Sequence, residues 1–173
     1  MLKGDLRMES KKPKLMEGGH TDEIYTPKYA LDILLPFIRG DWTRVWECAC
    51  GTGKLAGYLE EEEFRVIEGN DFLNEEFDCD IIITNPPYSI KDKFLERAFK
   101  LGKPFAFLLP ISALGGEKRI RLFMKYGLQM IIPTKRVNYI TPNNGKSSWF
   151  HTAWFCGNMK LPKQLNFVEI NRD

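Results

Sequence analysis

The sequence predicts an α/β fold in which a doubly wound, mostly parallel sheet is flanked by helices. Short apolar runs typical of buried strands alternate with amphipathic runs of helical period. The turn Gly51-Thr52-Gly53 directly follows a run typical of a strand and precedes a run of helical period. Short glycine-containing turns of this kind connect strands to helices in doubly wound sheets. A chain of 173 residues, 43% of them apolar, suits one domain with a substantial core.

Amphipathic runs predict four helices, in chain order 29–35, 54–63, 91–101 and 117–126. Thr26 suits the N-cap of the first helix, because its hydroxyl can accept a hydrogen bond from a free backbone N–H. Pro27 suits the first helical position, where the backbone N–H that proline lacks would have no partner within the helix. Gly127 suits the end of the last helix, which is basic. Residues 1–20 are polar and basic, so we expect a flexible N-terminal lead before one domain of residues 21–173.

Apolar runs between these helices predict the strands 45–50, 64–68, 79–84, 105–109, 130–132 and 152–155. The run 80–84 is mostly isoleucine, which is typical of a parallel strand buried on both faces. The strands 130–132 and 152–155 are expected to close the sheet. Neither an internal repeat nor a low-complexity segment interrupts the alternation.

The composition narrows the class of protein. No apolar stretch is long enough to span a bilayer, and no signal-peptide pattern opens the chain. The cysteines form no CxxC pair and have no histidine at ligand spacing; they are Cys48, Cys50, Cys79 and Cys156. We therefore expect a cytoplasmic protein with reduced thiols that binds neither membrane nor metal. The two histidines, His20 and His151, are widely spaced, which argues against a histidine-based hydrolase.

Charge is unevenly distributed although the net charge is only +2. Residues 1–90 carry 10 Lys and Arg against 18 Asp and Glu, whereas residues 91–173 carry 15 against 5. A positive face on the later half suggests a polyanion such as nucleic acid as partner. An ordinary solvated surface is the alternative.

The most specific feature is Asn85-Pro86-Pro87-Tyr88, which follows the isoleucine-rich strand. Ligands bind at the carboxyl ends of strands in open α/β sheets. Two prolines fix φ and remove two donors, so nearby carbonyls are held outward as acceptors. Amide and carbonyl oxygens next to an aromatic ring suit a flat group that carries an NH₂. A plain strand-ending turn is the alternative, since Asn-Pro is common in turns.

A second constellation runs from Glu47 to Gly53, at the end of the first strand. Glycines there let a ligand approach the backbone, and the following helix offers free N–H groups. Position 56 is alanine, so the dinucleotide pattern GxGxxG is incomplete. The carboxylate of Glu47 would repel a phosphate and attract an amino group, which favours a cofactor bearing an amino acid. A tight turn without a ligand is the alternative.

Four segments of the sequence together match the motif order of one enzyme family: Tyr25-Thr26-Pro27, Glu47 to Gly53, Asp71-Phe72 and Asn85-Pro86-Pro87-Tyr88. In this order they resemble the motifs of S-adenosylmethionine-dependent DNA adenine-N6 methyltransferases, especially the small stand-alone enzymes of phage and prophage type. The resemblance covers roughly residues 21–156. It implies a Rossmann-like methyltransferase sheet with its last strand antiparallel, S-adenosylmethionine as cofactor and DNA as partner.

The resemblance also implies roles for individual residues. The cofactor would lie against Tyr25, Thr26, Pro27, Glu47, Cys48, Ala49, Gly51, Gly53, Glu68, Asp71, Phe72 and Asn85. Catalysis would rest on Asn85, Pro86, Pro87 and Tyr88, where Asn85 and the Pro86 carbonyl accept from the target amino group and Tyr88 stacks on the base. Substrate contacts would include Tyr88, Tyr139, Lys135 and Arg136. Tyr139 could equally be a tyrosine of the core or rim. To reach such a pocket, the base must leave a duplex or belong to a single strand.

Two departures from the family pattern stand out. Asp71 follows Glu68 after two residues, so the second and third strand units are shortened or fused and the ribose contact is uncertain. Neither the interval between Phe72 and Asn85 nor the residues after Cys156 can hold a target-recognition domain. We therefore expect weak sequence selectivity. The segment 143–149 is predicted to be a loop that either touches the nucleic acid or simply connects two strands.

Other activities remain open from the sequence. A protein glutamine-N5 methyltransferase or an RNA adenine-N6 methyltransferase places the same demand on the site, a flat NH₂ group. A cofactor-binding subunit that needs a partner is a further alternative. Oligomeric state is not indicated.

Overall fold

The computed structural model describes residues 25–139 and 150–170. The expected lead of residues 1–20 and the predicted loop of residues 143–149 lie outside the described residues. Within the described chain, seven strands form one sheet in the order β2-β1-β3-β4-β6-β5-β7. The strands are β1 Arg44–Glu47, β2 Arg65–Glu68, β3 Ile81–Thr84, β4 Phe105–Pro110, β5 Gln129–Pro133, β6 Thr152–Gly157 and β7 Leu165–Val168.

Only β6 runs against the others, since it pairs antiparallel with both β4 and β5 while the remaining described pairs are parallel. The expected doubly wound, mostly parallel sheet is thus confirmed, and the last strand predicted from the sequence is the antiparallel one. The short edge strand β7 was not predicted. It follows the antiparallel strand and pairs parallel with β5.

The helices are α1 Lys28–Asp32, α2 Lys54–Glu61, α3 Lys91–Leu101 and α4 Glu117–Tyr126. All four were predicted, but α1 ends early and gives way to a 3-10 turn at Leu35–Phe37, which contains Pro36. The prediction of Thr26 as N-cap was wrong. Pro27 occupies the N-cap position in an extended conformation, and no side chain caps the helix.

Two apolar clusters cover the two faces of the sheet. The α1/α2 cluster packs those helices onto residues such as Val45, Ile83 and Trp154. The α3/α4 cluster packs the other helices onto an aromatic group that includes Phe107 and Phe155. Burial on both faces explains why β3, β4 and β6 consist of buried residues along their whole length. Among the described residues no helix combines the length and apolar character needed to cross a bilayer.

An ionic clamp joins the starts of β1 and β3. The Asp80 carboxylate accepts hydrogen bonds from the backbone N–H groups of Thr43 and Arg44, at 3.0 and 2.8 Å, and from the Arg44 guanidinium at 2.9 Å. Hydrogen bonding from Arg44 lowers the pKa of Asp80 to about 2, so the clamp is charged at neutral pH. It sets the register in which the opposite ends of these strands bring Glu47 and Asn85 to one edge.

Candidate active site

The candidate site lies at the carboxyl edge of the sheet, where β1, β2 and β3 end. Glu47 is the last residue of β1, Glu68 the last of β2, and Asn85 directly follows β3. The register pairs Glu47 with Glu68 and places β3 on the other side of β1. The fold therefore brings together the two constellations that the sequence separates by more than thirty positions.

Glu47 is a buried carboxyl group, with 2% of its surface exposed. Its Oε1 accepts hydrogen bonds from the Ala49 N–H, at 3.1 Å, and from the Thr84 hydroxyl. Burial raises the pKa of Glu47 to about 7, although both hydrogen bonds act in the opposite direction and nearby Glu68 adds to the rise. A buried acid poised near neutrality would be stabilised in its ionised form by a cationic ligand.

The glycine turn after β1 has the backbone that only glycine adopts easily. Gly51 and Gly53 have φ values of +54° and +78°, and Gly53 is the N-cap of α2. A Cβ placed on Gly53 would lie 3.6 Å from the Glu68 carboxylate, so the end of β2 is in contact with this turn. Burial raises the pKa of the Cys50 thiol to about 12, which makes it a protonated, unreactive lining group.

Tyr25, the first residue of the predicted segment Tyr25-Thr26-Pro27, contacts the start of α2 beside this turn. The Lys54 ammonium at the start of α2 sits 4.6 Å from the centre of the Tyr25 ring, within the range of a cation–π contact. Thr26 and Pro27 are buried. The structure thus brings Tyr25 and the end of β2 close to the start of α2, and the role of these residues in binding a cofactor stays a prediction.

Asp71 and Phe72 follow β2 in a turn, but they point to different surroundings. The exposed Asp71 carboxylate accepts from the Asn74 side chain at 2.9 Å. Phe72 is only 1% exposed and packs against the rings of Trp46 and Phe94, with centroids 5.2 and 4.8 Å away. The Phe72 ring therefore has almost no surface free for a ligand in this conformation. Its part in the cofactor site stays a prediction.

Asn85 carries the most informative atom of the site. Its Oδ1 is buried, and no described residue donates a hydrogen bond to it. A buried acceptor without a donor costs about 1–3 kcal/mol, so such an atom calls for a partner that arrives with a ligand. The Pro87 carbonyl already accepts from the Ile90 N–H at 3.1 Å. Of the two acceptors expected from the sequence, Asn85 Oδ1 therefore has no described donor, and the role of the Pro86 carbonyl stays a prediction.

Tyr88 begins a 3-10 turn, Tyr88–Ile90, three residues after Asn85. Its ring meets Phe150 edge to face, with centroids 5.7 Å apart. Its hydroxyl donates to the Tyr139 hydroxyl at 3.1 Å. Phe150 was missed from the sequence, because nothing in a single phenylalanine before a strand signals contact with a loop about sixty residues earlier.

The other predicted substrate residues have different positions. Tyr139 is 3% exposed, so its ring offers almost no face for stacking on a base. Lys135 and Arg136 are exposed and follow the carboxyl end of β5, on the same edge of the sheet as the site. Among residues 25–139 and 150–170, no cluster of His, Cys, Asp and Glu side chains could hold a metal ion.

Comparison with known proteins bears on the fold. No protein-family model and no curated protein sequence matches the chain. Several solved structures are similar to the chain, and two of them match over most of its length. One is a Listeria monocytogenes protein provisionally assigned as a class I S-adenosylmethionine-dependent methyltransferase, with TM-score 0.60, 14% identity, and coverage of 90% of this chain and 68% of that one. This chain has the fold of a Rossmann-like methyltransferase.

The second is a provisionally assigned modification subunit of a type I restriction enzyme from Vibrio vulnificus. Its TM-score is 0.53 at 14% identity, and the match covers 90% of this chain but spans about half, 49%, of the subunit. At such identities the likeness concerns the methyltransferase fold, and residue roles must be argued from the site itself.

Proposed function

We propose that the protein transfers a methyl group from S-adenosylmethionine to the N6 amino group of adenine in DNA, with little sequence selectivity. The observation that carries the proposal is the buried Asn85 amide oxygen, for which the described chain provides no donor. Asn85 directly follows β3, which pairs with the strand that precedes the glycine turn, and Tyr88 follows three residues later.

The residues present fit this cofactor. The Glu47 carboxylate would pair with the amino group of its methionine portion, and the turn containing Gly51 and Gly53 would allow close approach. Glu68, at the end of β2 and beside the turn, would hold the ribose, and Asp71 would bond the adenine amino group. When bound, S-adenosylmethionine supplies an electrophilic methyl group on a sulfonium centre.

The chain's own residues would act mainly by positioning. Asn85 Oδ1 and the Pro86 carbonyl accept the two hydrogen bonds of the target NH₂, which turns the nitrogen lone pair toward the methyl group. As positive charge develops on that nitrogen, both acceptors bind its protons more strongly, so they favour the transition state over the ground state. The Tyr88 ring stacks on the base and holds its plane.

Nucleic acid is supported as the substrate by charge. The exposed residues Lys118, Arg121 and Lys125 make α4 a basic surface, and Lys135 and Arg136 extend positive charge to the edge that carries the site. Such groups contact phosphates, which position a strand without reading its sequence. The likeness to a restriction-modification subunit fits the same choice.

The proposal is tested by transfer of labelled methyl from S-adenosylmethionine to DNA, RNA and protein pools in parallel. We expect label in DNA, recovered as N6-methyladenine after digestion. Label confined to RNA or to protein glutamine would contradict the proposal in favour of those substrates. Transfer that begins only when another subunit is added would identify the chain as a cofactor-binding subunit.

Weak selectivity is tested on the same reaction by mapping methylated positions along a long DNA. We expect adenines in many contexts to be modified, and binding to weaken as salt increases, because each neutralised phosphate releases counterions. A strict recognition word of four or more bases would contradict this expectation and point to base-reading side chains in the chain.

The pKa of Glu47 predicts how cofactor affinity depends on pH. Below about pH 7 the free protein holds Glu47 protonated, so pairing it with an ammonium group requires loss of that proton. Affinity should therefore rise by up to about tenfold per pH unit toward pH 7 and then level off. In the free protein, the stability contributed by this raised pKa is present in acid and is lost as the pH rises through about 7.

Calorimetry at pH 6 and pH 8 measures how the affinity for S-adenosylmethionine depends on pH. The matched variant is Glu47→Gln, whose amide oxygen can still accept from Ala49 and Thr84 but cannot ionise. It should bind S-adenosylmethionine weakly, with little dependence on pH over this range. Equal affinity and equal pH dependence in the two proteins would show that Glu47 does not hold the cofactor.

A further inference from the structure

The hydroxyl groups of Tyr88 and Tyr139 form a hydrogen-bonded pair that takes no part in the methyl transfer proposed above. Tyr139 is buried, and its hydroxyl accepts from the Tyr88 hydroxyl at 3.1 Å. The two residues are 51 positions apart, so the contact exists only in the folded protein. It joins the tip of the ring proposed to stack on the target base to a residue of the core.

The Tyr139 end of this pair is held firmly. The preceding residue, Asn138, receives two contacts from the Tyr29 hydroxyl, which accepts from its N–H at 2.7 Å and donates to its carbonyl at 3.2 Å. Val137 is completely buried in the α1/α2 cluster. Tyr29 itself lies on α1, two residues after Pro27. Tyr139 is therefore an anchor with a fixed position.

The Tyr88 end of the pair is a half-buried ring in a short 3-10 turn. The hydrogen bond from its hydroxyl fixes the position of the tip of the ring and so restricts rotation about the χ1 bond. Because the hydroxyl lies on the long axis of the ring, this bond does not by itself fix the ring plane. The edge-to-face contact with Phe150 restricts rotation about that axis, so the two contacts together orient the ring.

We propose that Tyr139 is a positioning residue, which orients the Tyr88 ring for the target base through the paired hydroxyl groups and does not itself stack. The proposal rests on the proposed function and refines the role expected for Tyr139. Burial raises the pKa of Tyr139 to about 12, so its hydroxyl keeps its proton across the neutral range and the pair persists there.

Single and double replacements by phenylalanine test the proposal. Tyr88→Phe and Tyr139→Phe each remove one hydroxyl and keep the ring. Each should raise KM for an adenine-containing oligonucleotide by about 3- to 10-fold, the effect of one net hydrogen bond. The affinity for S-adenosylmethionine should not change. The double variant should be no worse than the poorer single variant, because each single replacement already breaks the same hydrogen bond between the two hydroxyls.

The control is Tyr126→Phe, at the end of α4, where the ring stacks on Phe99 and lies away from the site. It should leave KM and the melting temperature unchanged. A purely structural role for Tyr139 would lower the melting temperature without selectively raising KM for the oligonucleotide. That result would overturn the proposal, as would an unchanged KM in Tyr139→Phe or single effects that multiply in the double variant.

The outcome for wild-type protein separates this inference from the proposed function. If wild-type protein methylates DNA and Tyr139→Phe does so with the same KM, the positioning role alone fails. If wild-type protein transfers no methyl to any nucleic acid, the proposed function fails and the positioning of a target base fails with it.

Discussion

Replacing Asn85 with alanine should reduce the rate of methyl transfer by about 10²-fold or more, which is the usual effect of losing one preorganised polar contact to the reacting group. The side chain ends in a buried oxygen that no described residue uses. Its removal therefore disrupts no hydrogen bond of the described fold, and stability should change little. The target NH₂ would lose one of its two acceptors, so its lone pair would no longer be directed at the methyl group.

Single-turnover rates and cofactor calorimetry on the same preparation distinguish chemistry from binding. S-adenosylmethionine affinity should be close to that of the wild type, because Glu47 and the glycine turn are intact. Asn85→Asp keeps an acceptor oxygen and should retain more activity than Asn85→Ala. A rate near that of wild type in the alanine variant would refute the role given to Asn85.

Replacing Gly157 with alanine should destabilise the protein by about 3 kcal/mol, at the upper end of overpacking effects. Gly157 in β6 pairs with Phe105 in β4, and a Cβ at this position would lie 2.2 Å from Phe105 Cε1. Phe105 is completely buried and touches the rings of Phe99 and Phe107, with centroids 4.9 and 4.8 Å away. The ring therefore has little space into which it can move.

Urea unfolding of two alanine variants measures this effect against a control. Gly57 lies inside α2, and a Cβ there would have no atom within 4 Å, so Gly57→Ala should stabilise the protein by about 0.5–1 kcal/mol. Trimming the clashing ring with Phe105→Leu should cost less in the Gly157→Ala protein than in the wild type. Additive effects would indicate that Gly157 and Phe105 are not in steric conflict.

The sequence by itself determined the elements of the methyltransferase fold, because each is encoded locally. Helical periodicity predicted all four helices, and short apolar runs predicted six of the seven strands in the described chain. Local chemistry also predicted the special positions. Proline fixes φ in the segment after β3, and the positive φ values of Gly51 and Gly53 disfavour other residues.

Predictions from the sequence failed at two places, the N-cap of α1 and the strand β7. Thr26 has the side chain of an N-cap, but the proline after it takes that position and Thr26 is buried. The strand β7 is four residues long and has only one buried residue, so its sequence shows no periodic apolar pattern. It is a strand because it pairs with β5, and such pairing is a long-range property.

Only the tertiary structure decided which predicted side chains are available to a ligand. Phe72 and Tyr139 look alike in the sequence as aromatic candidates, yet packing buries both rings, whereas Tyr88 stays half-exposed at the edge of the sheet. The same packing leaves Asn85 Oδ1 without a described donor and pairs the hydroxyls of Tyr88 and Tyr139. Burial and hydrogen-bond partners depend on strands and loops that are distant in the chain, and a local pattern carries no information about which distant residue will cover it.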